Sequence, residues 1–145
     1  KDTNIYAYAF SDPINLMDIT GKDVCAHRSA TAWWHTWVSF NNDPMKTFGA
    51  YPGESFFTDR QRILSPDPSR REMSWPETST TCYRSSPQED LMLEGWVRAA
   101  YRVGETEGNP RYIFGFQDCR SFVSNVLDRL KEIQGTSALV PVEQP

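Results

Sequence analysis

The chain has little of what builds metal centres. Its 145 residues include two His and three Cys, with no Cys-x-x-Cys and no His-x-x-x-His spacing. A structural zinc site is therefore not expected, and no cofactor is called for. No apolar run approaches the roughly 20 residues of a membrane-spanning helix. No charged-then-apolar leader opens the sequence, so any export is expected to depend on other machinery. Basic runs are also missing and the net charge is −4, which argues against nucleic acid as a partner. Three cysteines, Cys25, Cys82 and Cys119, cannot all pair within one chain, so at least one thiol is expected to be free.

Large aromatics are plentiful: five Trp, eight Phe and six Tyr supply enough apolar surface for one domain's core. Ten Pro and eight Gly imply many turns. Trp34, Thr36, Val38 and Phe40 alternate with Trp33, His35, Trp37 and Ser39, which predicts a strand buried on both faces. The turn Asn41-Asn42-Asp43-Pro44 follows, and Met45–Tyr51 completes a hairpin. Residues 53–80 are polar, interrupted by Pro66, Pro68 and Pro76, and are expected to make a long surface excursion. A third strand is expected at Ser79–Ser85. Ser86 and Glu89 form a capping box with Pro87 at the first helical position, so a helix begins there and ends before Gly104. A last helix is capped by Asp118, carries Phe122, Val123, Val126, Leu127, Leu130 and Ile133 on one face, and stops at Gly135. The fold class is α+β: a small antiparallel sheet packed against helices, with Cys119 at the start of the last long helix.

That position matters chemically. Free N–H groups and the helix dipole favour a thiolate, the form of cysteine that attacks carbonyls. A plain core role for Cys119 is the competing reading. His35 lies mid-strand among tryptophans, where an unpaired imidazole is costly; His27 precedes the strand and is expected to be more exposed. A helix-start Cys facing a strand His is the pairing in which an imidazole takes the thiol proton. The backbone N–H of Cys119 is the candidate oxyanion donor, with Gln117 as a possible side-chain donor beside it. The tryptophans with Phe56 and Phe57 could cover an acyl chain near this site, although core packing accounts for most of them.

Two resemblances add to this reading. Asn4-x-Tyr6-x-Tyr8, Asp12-Pro13-x-Asn15 and Asp18-x-Thr20-Gly21 resemble the last core repeat of Rhs/YD-repeat proteins, with Ile19 and Lys22 where Pro and Leu are usual. The resemblance divides the chain into residues 1–22, the end of the shell, and residues 23–145, a delivered toxin domain. It implies as partners the Rhs shell, its secretion machinery and a cognate immunity protein, and as destination the envelope of a target bacterium. Second, Asp118-Cys119-Arg120-Ser121-Phe122-Val123 is similar to the Asp-Cys-Ser-Gly-Phe-Val motif of NlpC-type papain-like hydrolases, and the segment from His35 to Phe40 to their His strand. Here His precedes Cys, as in the circularly permuted branch that includes lecithin:retinol acyltransferase-like enzymes. Thr80, Ser86-Pro87-Gln88, Tyr112 and Phe122 follow that branch's layout over residues 32–130. The resemblance implies a cysteine hydrolase of acyl bonds; where that branch often carries a second His on the next strand, Thr47 falls at the same spacing from His35 and is the candidate third residue, able to orient the ring only weakly. The permuted order favours membrane phospholipid as substrate, with cell-wall peptide amides as the alternative and a non-catalytic, membrane-disturbing or partner-binding toxin as the second alternative.

Overall fold

The computed structural model describes residues 23–32, 34–53, 60–115 and 117–142. The sequence of Ile5–Phe10 reads as a short strand; that segment, the Rhs-like motif, and Trp33, Phe56 and Phe57 lie outside the described residues. In chain order the elements are β1 (Asp23–Arg28), β2 (Thr36–Phe40), β3 (Thr47–Tyr51), β4 (Arg62–Leu64), a 3-10 helix (Pro68–Ser74), β5 (Ser79–Arg84), α1 (Pro87–Ala100), α2 (Cys119–Gln134) and β6 (Pro141–Val142). The strands form one six-stranded sheet in the order β4-β3-β2-β1-β5-β6, antiparallel at every pairing. The chain is thus α+β with an antiparallel sheet and helices.

Strand alternation divides the sheet into two unlike faces. The register sets Val24 opposite Phe40, Val38 opposite Phe48, and Ala50 opposite Ile63. These residues share one face and form a single apolar cluster with Leu93 and Val97 of α1 and Phe122, Val126 and Leu130 of α2. Burying each of the Val, Leu, Ile and Phe side chains contributes roughly 1.5–3 kcal/mol. The other face carries Cys25, His27, Trp37, Ser39 and Thr47, all buried. Its polar groups therefore need partners within the protein.

The helices begin and end where their signals stand. Ser86 and Glu89 close a reciprocal capping box on α1. Asp118 accepts from the N–H of Arg120 at the start of α2, and Gly135 ends it in the left-handed region at φ 69°. The β2–β3 turn uses Asn41 and Asn42, both at positive φ, which asparagine tolerates better than most residues.

Three expectations are corrected. Residues 53–80 are not simply a surface excursion: Arg62–Leu64 pairs with β3, and the capped 3-10 helix carries the buried Glu72 behind the buried Asp67. The segment before the expected aromatic strand at residues 33–40 is itself a strand, β1, placed between β2 and β5. His27 lies in that strand and is buried, not exposed. Cys25 and Cys82 face each other across β1 and β5 and form a disulfide, leaving Cys119 as the free thiol.

Candidate functional site

The site assembles where the first turn of α2 meets the start of β2. Cys119 is the first residue of α2 and is buried. Its S–H donates to the carbonyl oxygen of Trp34 at 3.1 Å. The next residue after Trp34 is His35, also buried, whose Nε2 lies 3.1 Å from Oδ2 of Asp67. With Nε2 so engaged, Nδ1 is the ring nitrogen left for the sulfur. Nδ1 has no formed hydrogen bond among the described residues, yet thiol and imidazole bias each other's protonation. The contact is therefore loose while the thiol proton is held by Trp34.

The electrostatics favour an ion pair. Burial alone would lower the pKa of His35, but the hydrogen bonds and charges of Asp67 and Cys119 outweigh it and push the ring up to about 9. Burial alone would raise the Cys119 thiol. The imidazole's hydrogen bond and charge, with the N–H and hydroxyl of Thr36, outweigh burial and hold it below the usual thiol range. The raised imidazole and the lowered thiol together favour transfer of the thiol proton toward the ring.

Asp67 is the residue that sequence reasoning missed. It is fully buried and caps the 3-10 helix. Its Oδ1 accepts the Tyr51 hydroxyl at 2.6 Å and the Ser69 N–H at 2.7 Å. Its own N–H donates to the Thr47 hydroxyl at 2.8 Å. Gly49 makes room for this carboxylate: a Cβ there would stand 1.8 Å from Asp67 Oδ2. Two signals in the sequence pointed this way. A glycine inside a strand marks close approach by another group, and Asp67-Pro68 is a helix-start pair.

Thr47 is near the site but does not orient the ring. Its hydroxyl donates to the Pro44 carbonyl at 2.9 Å and receives the Asp67 N–H, so it positions the residue that holds the imidazole. Gln117 does not supply a free amide: its Nε2 donates to the Arg111 carbonyl at 2.7 Å. Tyr112 is the group beside Cys119. Burial, followed by the Cys119 and Asp118 charges, raises its pKa, and its hydroxyl interacts with both the thiol and the N–H of Cys119.

An aromatic column backs the imidazole. His35 stacks on Trp37 at 5.7 Å between ring centroids and lies 4.3 Å from the Tyr51 ring; His27 also stacks on Trp37, at 5.2 Å. His27 pairs with Thr80 through Nδ1 and with Ser39 through Nε2, at 3.0 and 2.8 Å. Burial outweighs the attraction of Asp67 and lowers its pKa to about 4, so it is a neutral core histidine at pH 7. A second buried carboxylate steadies the approach to His35. Glu72 accepts from the Ser29 hydroxyl, the Ala30 N–H and the Thr31 hydroxyl at 2.9, 2.7 and 3.0 Å.

Among the described residues no group of three or more His, Cys, Asp or Glu side chains could hold a metal ion, and no helix is long and apolar enough to cross a membrane. No protein-family model matches this chain, and neither the curated proteins nor the solved structures compared with it give a match.

Proposed function

We propose that this chain is a thiol-dependent acyl hydrolase of permuted papain-like type, with Cys119 as nucleophile, His35 as proton carrier and Asp67 as the residue that orients it. The observation that carries this reading is the buried chain of contacts from Asp67 through His35 to a thiol on the first turn of a capped helix. In the reaction, the Cys119 proton passes to Nδ1 of His35 and the sulfur attacks the substrate carbonyl. The N–H of Cys119, with the Tyr112 hydroxyl beside it, faces the developing oxyanion. The imidazolium gives its proton to the leaving group. Water then enters, loses a proton to the same ring and releases the acyl group.

The substrate we favour is a membrane phospholipid ester, from the His-before-Cys order and the aromatic setting. We place the domain as the C-terminal toxin of an Rhs-type effector, acting at the target cell's envelope and held in check by a cognate immunity protein. The Cys25–Cys82 disulfide supports an oxidising place of action.

The test is mass spectrometry of phospholipid vesicles and of purified sacculi after incubation with the purified chain, with Cys119→Ala as control. Release of fatty acid by the wild type and none by the variant is the expected result. Intact lipid with loss of stem peptides or cross-links replaces the lipase by a cell-wall amidase. Full toxicity of Cys119→Ala in cells overturns the enzymatic reading in favour of a binding or membrane-disturbing toxin.

A further inference from the structure

A groove of about 660 Å³ opens between α2 and the β1–β5 side of the sheet. Arg120, Val123, Leu127 and Lys131 line it from α2, while Ala26 and Arg28 line it from β1. From Arg120 to Lys131 the helix rises about 16 Å at 1.5 Å per residue. Leu139 extends the apolar wall.

Cys119 does not line the groove, but two of its neighbours, Thr36 and Arg120, do. Thr36, which lines it, also presents its N–H and hydroxyl to the Cys119 sulfur. The Thr36 Oγ1 is buried and has no formed hydrogen bond among the described residues. Arg28 pairs with Thr36 across β1 and β2, so it stands at the same end. Arg120 follows Cys119 directly in α2. That end is therefore cationic, and the apolar residues continue along the helix away from it.

The charge of the lining runs against that of the chain. Three cations, Arg28, Arg120 and Lys131, face one carboxylate, Asp128, in a protein of net charge −4. Arg120 is tied to Asp118 at 2.6 Å and Lys131 lies 3.5 Å from Asp128. Arg28 is exposed and has no ion-pair partner among the described residues.

We propose that this groove binds an anionic amphiphile, with Arg28 taking the anionic head at the Cys119 end and Ala26, Val123, Leu127 and Leu139 covering the apolar tail. The proposal deepens the acyl-hydrolase reading and rests on it where it brings an acyl bond to the sulfur. It makes Arg28 a specificity-determining residue: the head selects the ligand and the tail sets its direction along α2.

The test separates binding from turnover. The Cys119→Ala chain is titrated by calorimetry with dodecyl phosphate, with an uncharged dodecyl glycoside and with inorganic phosphate, each amphiphile below its micelle concentration. Dodecyl phosphate should bind saturably at one site and at least about tenfold more tightly than either other compound, and Arg28→Ala should remove about tenfold of that affinity. Amide NMR shifts on binding should centre on Ala26, Thr36 and Val123. Equal binding of the charged and uncharged heads, equal binding of phosphate alone, or no effect of Arg28→Ala overturns the proposal. Arg28 is exposed, so its replacement leaves the core intact, and thermal melting checks this. A chain that passes this test but hydrolyses neither lipid nor muropeptide overturns the enzymatic reading alone. One that hydrolyses acyl bonds yet fails the titration overturns the groove alone.

Discussion

Replacing Asp67 by Asn changes almost no volume and reverses one polarity. Oδ1 of Asp67 already receives two donors, the Tyr51 hydroxyl and the Ser69 N–H. In the variant the amide oxygen must keep that place, because an NH2 group there would meet two donors. The NH2 group then points at Nε2 of His35, where Oδ2 now lies at 3.1 Å. Nε2 becomes an acceptor and the ring proton moves to Nδ1. A neutral ring protonated on Nδ1 cannot take the thiol proton.

The magnitude follows from the charge state of the ring. Burial opposes the charged form of His35, and its partners raise the pKa from 6.5 to about 9 despite this. That rise is worth about 3 kcal/mol in favour of the imidazolium. Without the carboxylate, burial prevails and the ring is neutral at pH 7. The expected loss in kcat/KM is about 10²–10⁴-fold, the range for a misdirected general acid–base. The sign for stability is also fixed. A folded pKa above the unfolded one gives stabilisation that is complete below pH 6.5 and lost as pH rises through about 9. The difference in melting temperature between wild type and Asp67→Asn should shrink over that window. Alkylation of Cys119 by iodoacetamide, followed against pH, reads the thiolate directly, since the other two cysteines are bonded to each other. The variant's inflection should rise toward the ordinary thiol value of about 8.5. An unchanged alkylation profile together with unchanged kcat/KM would refute the reasoning.

Three further outcomes are expected. Removing the Cys25–Cys82 bridge as Cys25→Ala/Cys82→Ala opens a loop with a sequence separation of 57; urea unfolding should show a loss of about 4 kcal/mol by chain entropy, and no loss would mean that the bridge does not constrain the unfolded chain. Glu72→Gln puts an amide NH2 against donors from residues 29–31 and should cost about 1–3 kcal/mol at neutral pH. Burial would raise the Glu72 pKa, but those hydrogen bonds outweigh it and lower it, so this stabilisation exists above the unfolded value and the gap to the variant should close as pH falls. Asp90→Asn should raise the melting temperature above pH 6 and change it little in acid. Burial, helped by Asp23 and Glu89, pushes Asp90 up to about 6, so its ionisation destabilises the fold as pH rises from about 3.8 to about 6; a variant less stable at pH 8 would show that the Ser85 hydrogen bond outweighs that cost.

What the sequence made legible was the part written in local rules. Both helices announce themselves by caps, and the β2–β3 hairpin by alternation and an Asn-rich turn. Cys119 and His35 stood out because each occupies a position where its chemistry is unusual: one at a helix start, the other in an aromatic run, which the structure places just ahead of β2 rather than within it. β1 was not legible. Its sequence, Asp-Val-Cys-Ala-His-Arg, lacks a plain apolar alternation because the strand is covered on both sides. One side is apolar, and the other satisfies His27 with Ser39 and Thr80 rather than with water. Asp67 was hidden for a related reason. It comes from a proline-rich stretch that reads as solvated, and only the long-range approach of that stretch to Gly49 buries it. The spacing from His35 led to Thr47, one hydrogen bond short of the carboxylate that meets the ring.

The two faces of the sheet divide the work of the molecule. The apolar face fixes α2, and with it the height of the Cys119 sulfur above the sheet. The polar face fixes the imidazole, through a short segment that makes two separate attachments. Asp67 at its start holds the ring of His35, and Glu72 within it holds Ser29, Ala30 and Thr31, the residues that lead from β1 toward that same histidine. The segment therefore constrains His35 both by its side chain and by the backbone that delivers it. A proton carrier between a nucleophile and an orienting group must be held to within a fraction of an ångström, and in the proposed reading Cys119 is set by α2 from the apolar face while His35 is held from the polar face. Polar substitutions on the face of Asp67 and Glu72 act on the base and leave the helix seated. Apolar substitutions beneath α2 move the sulfur and leave the carboxylate–imidazole bond in place. The alignment of Cys119 with His35 depends on both faces at once, and a defect in either one misaligns the pair.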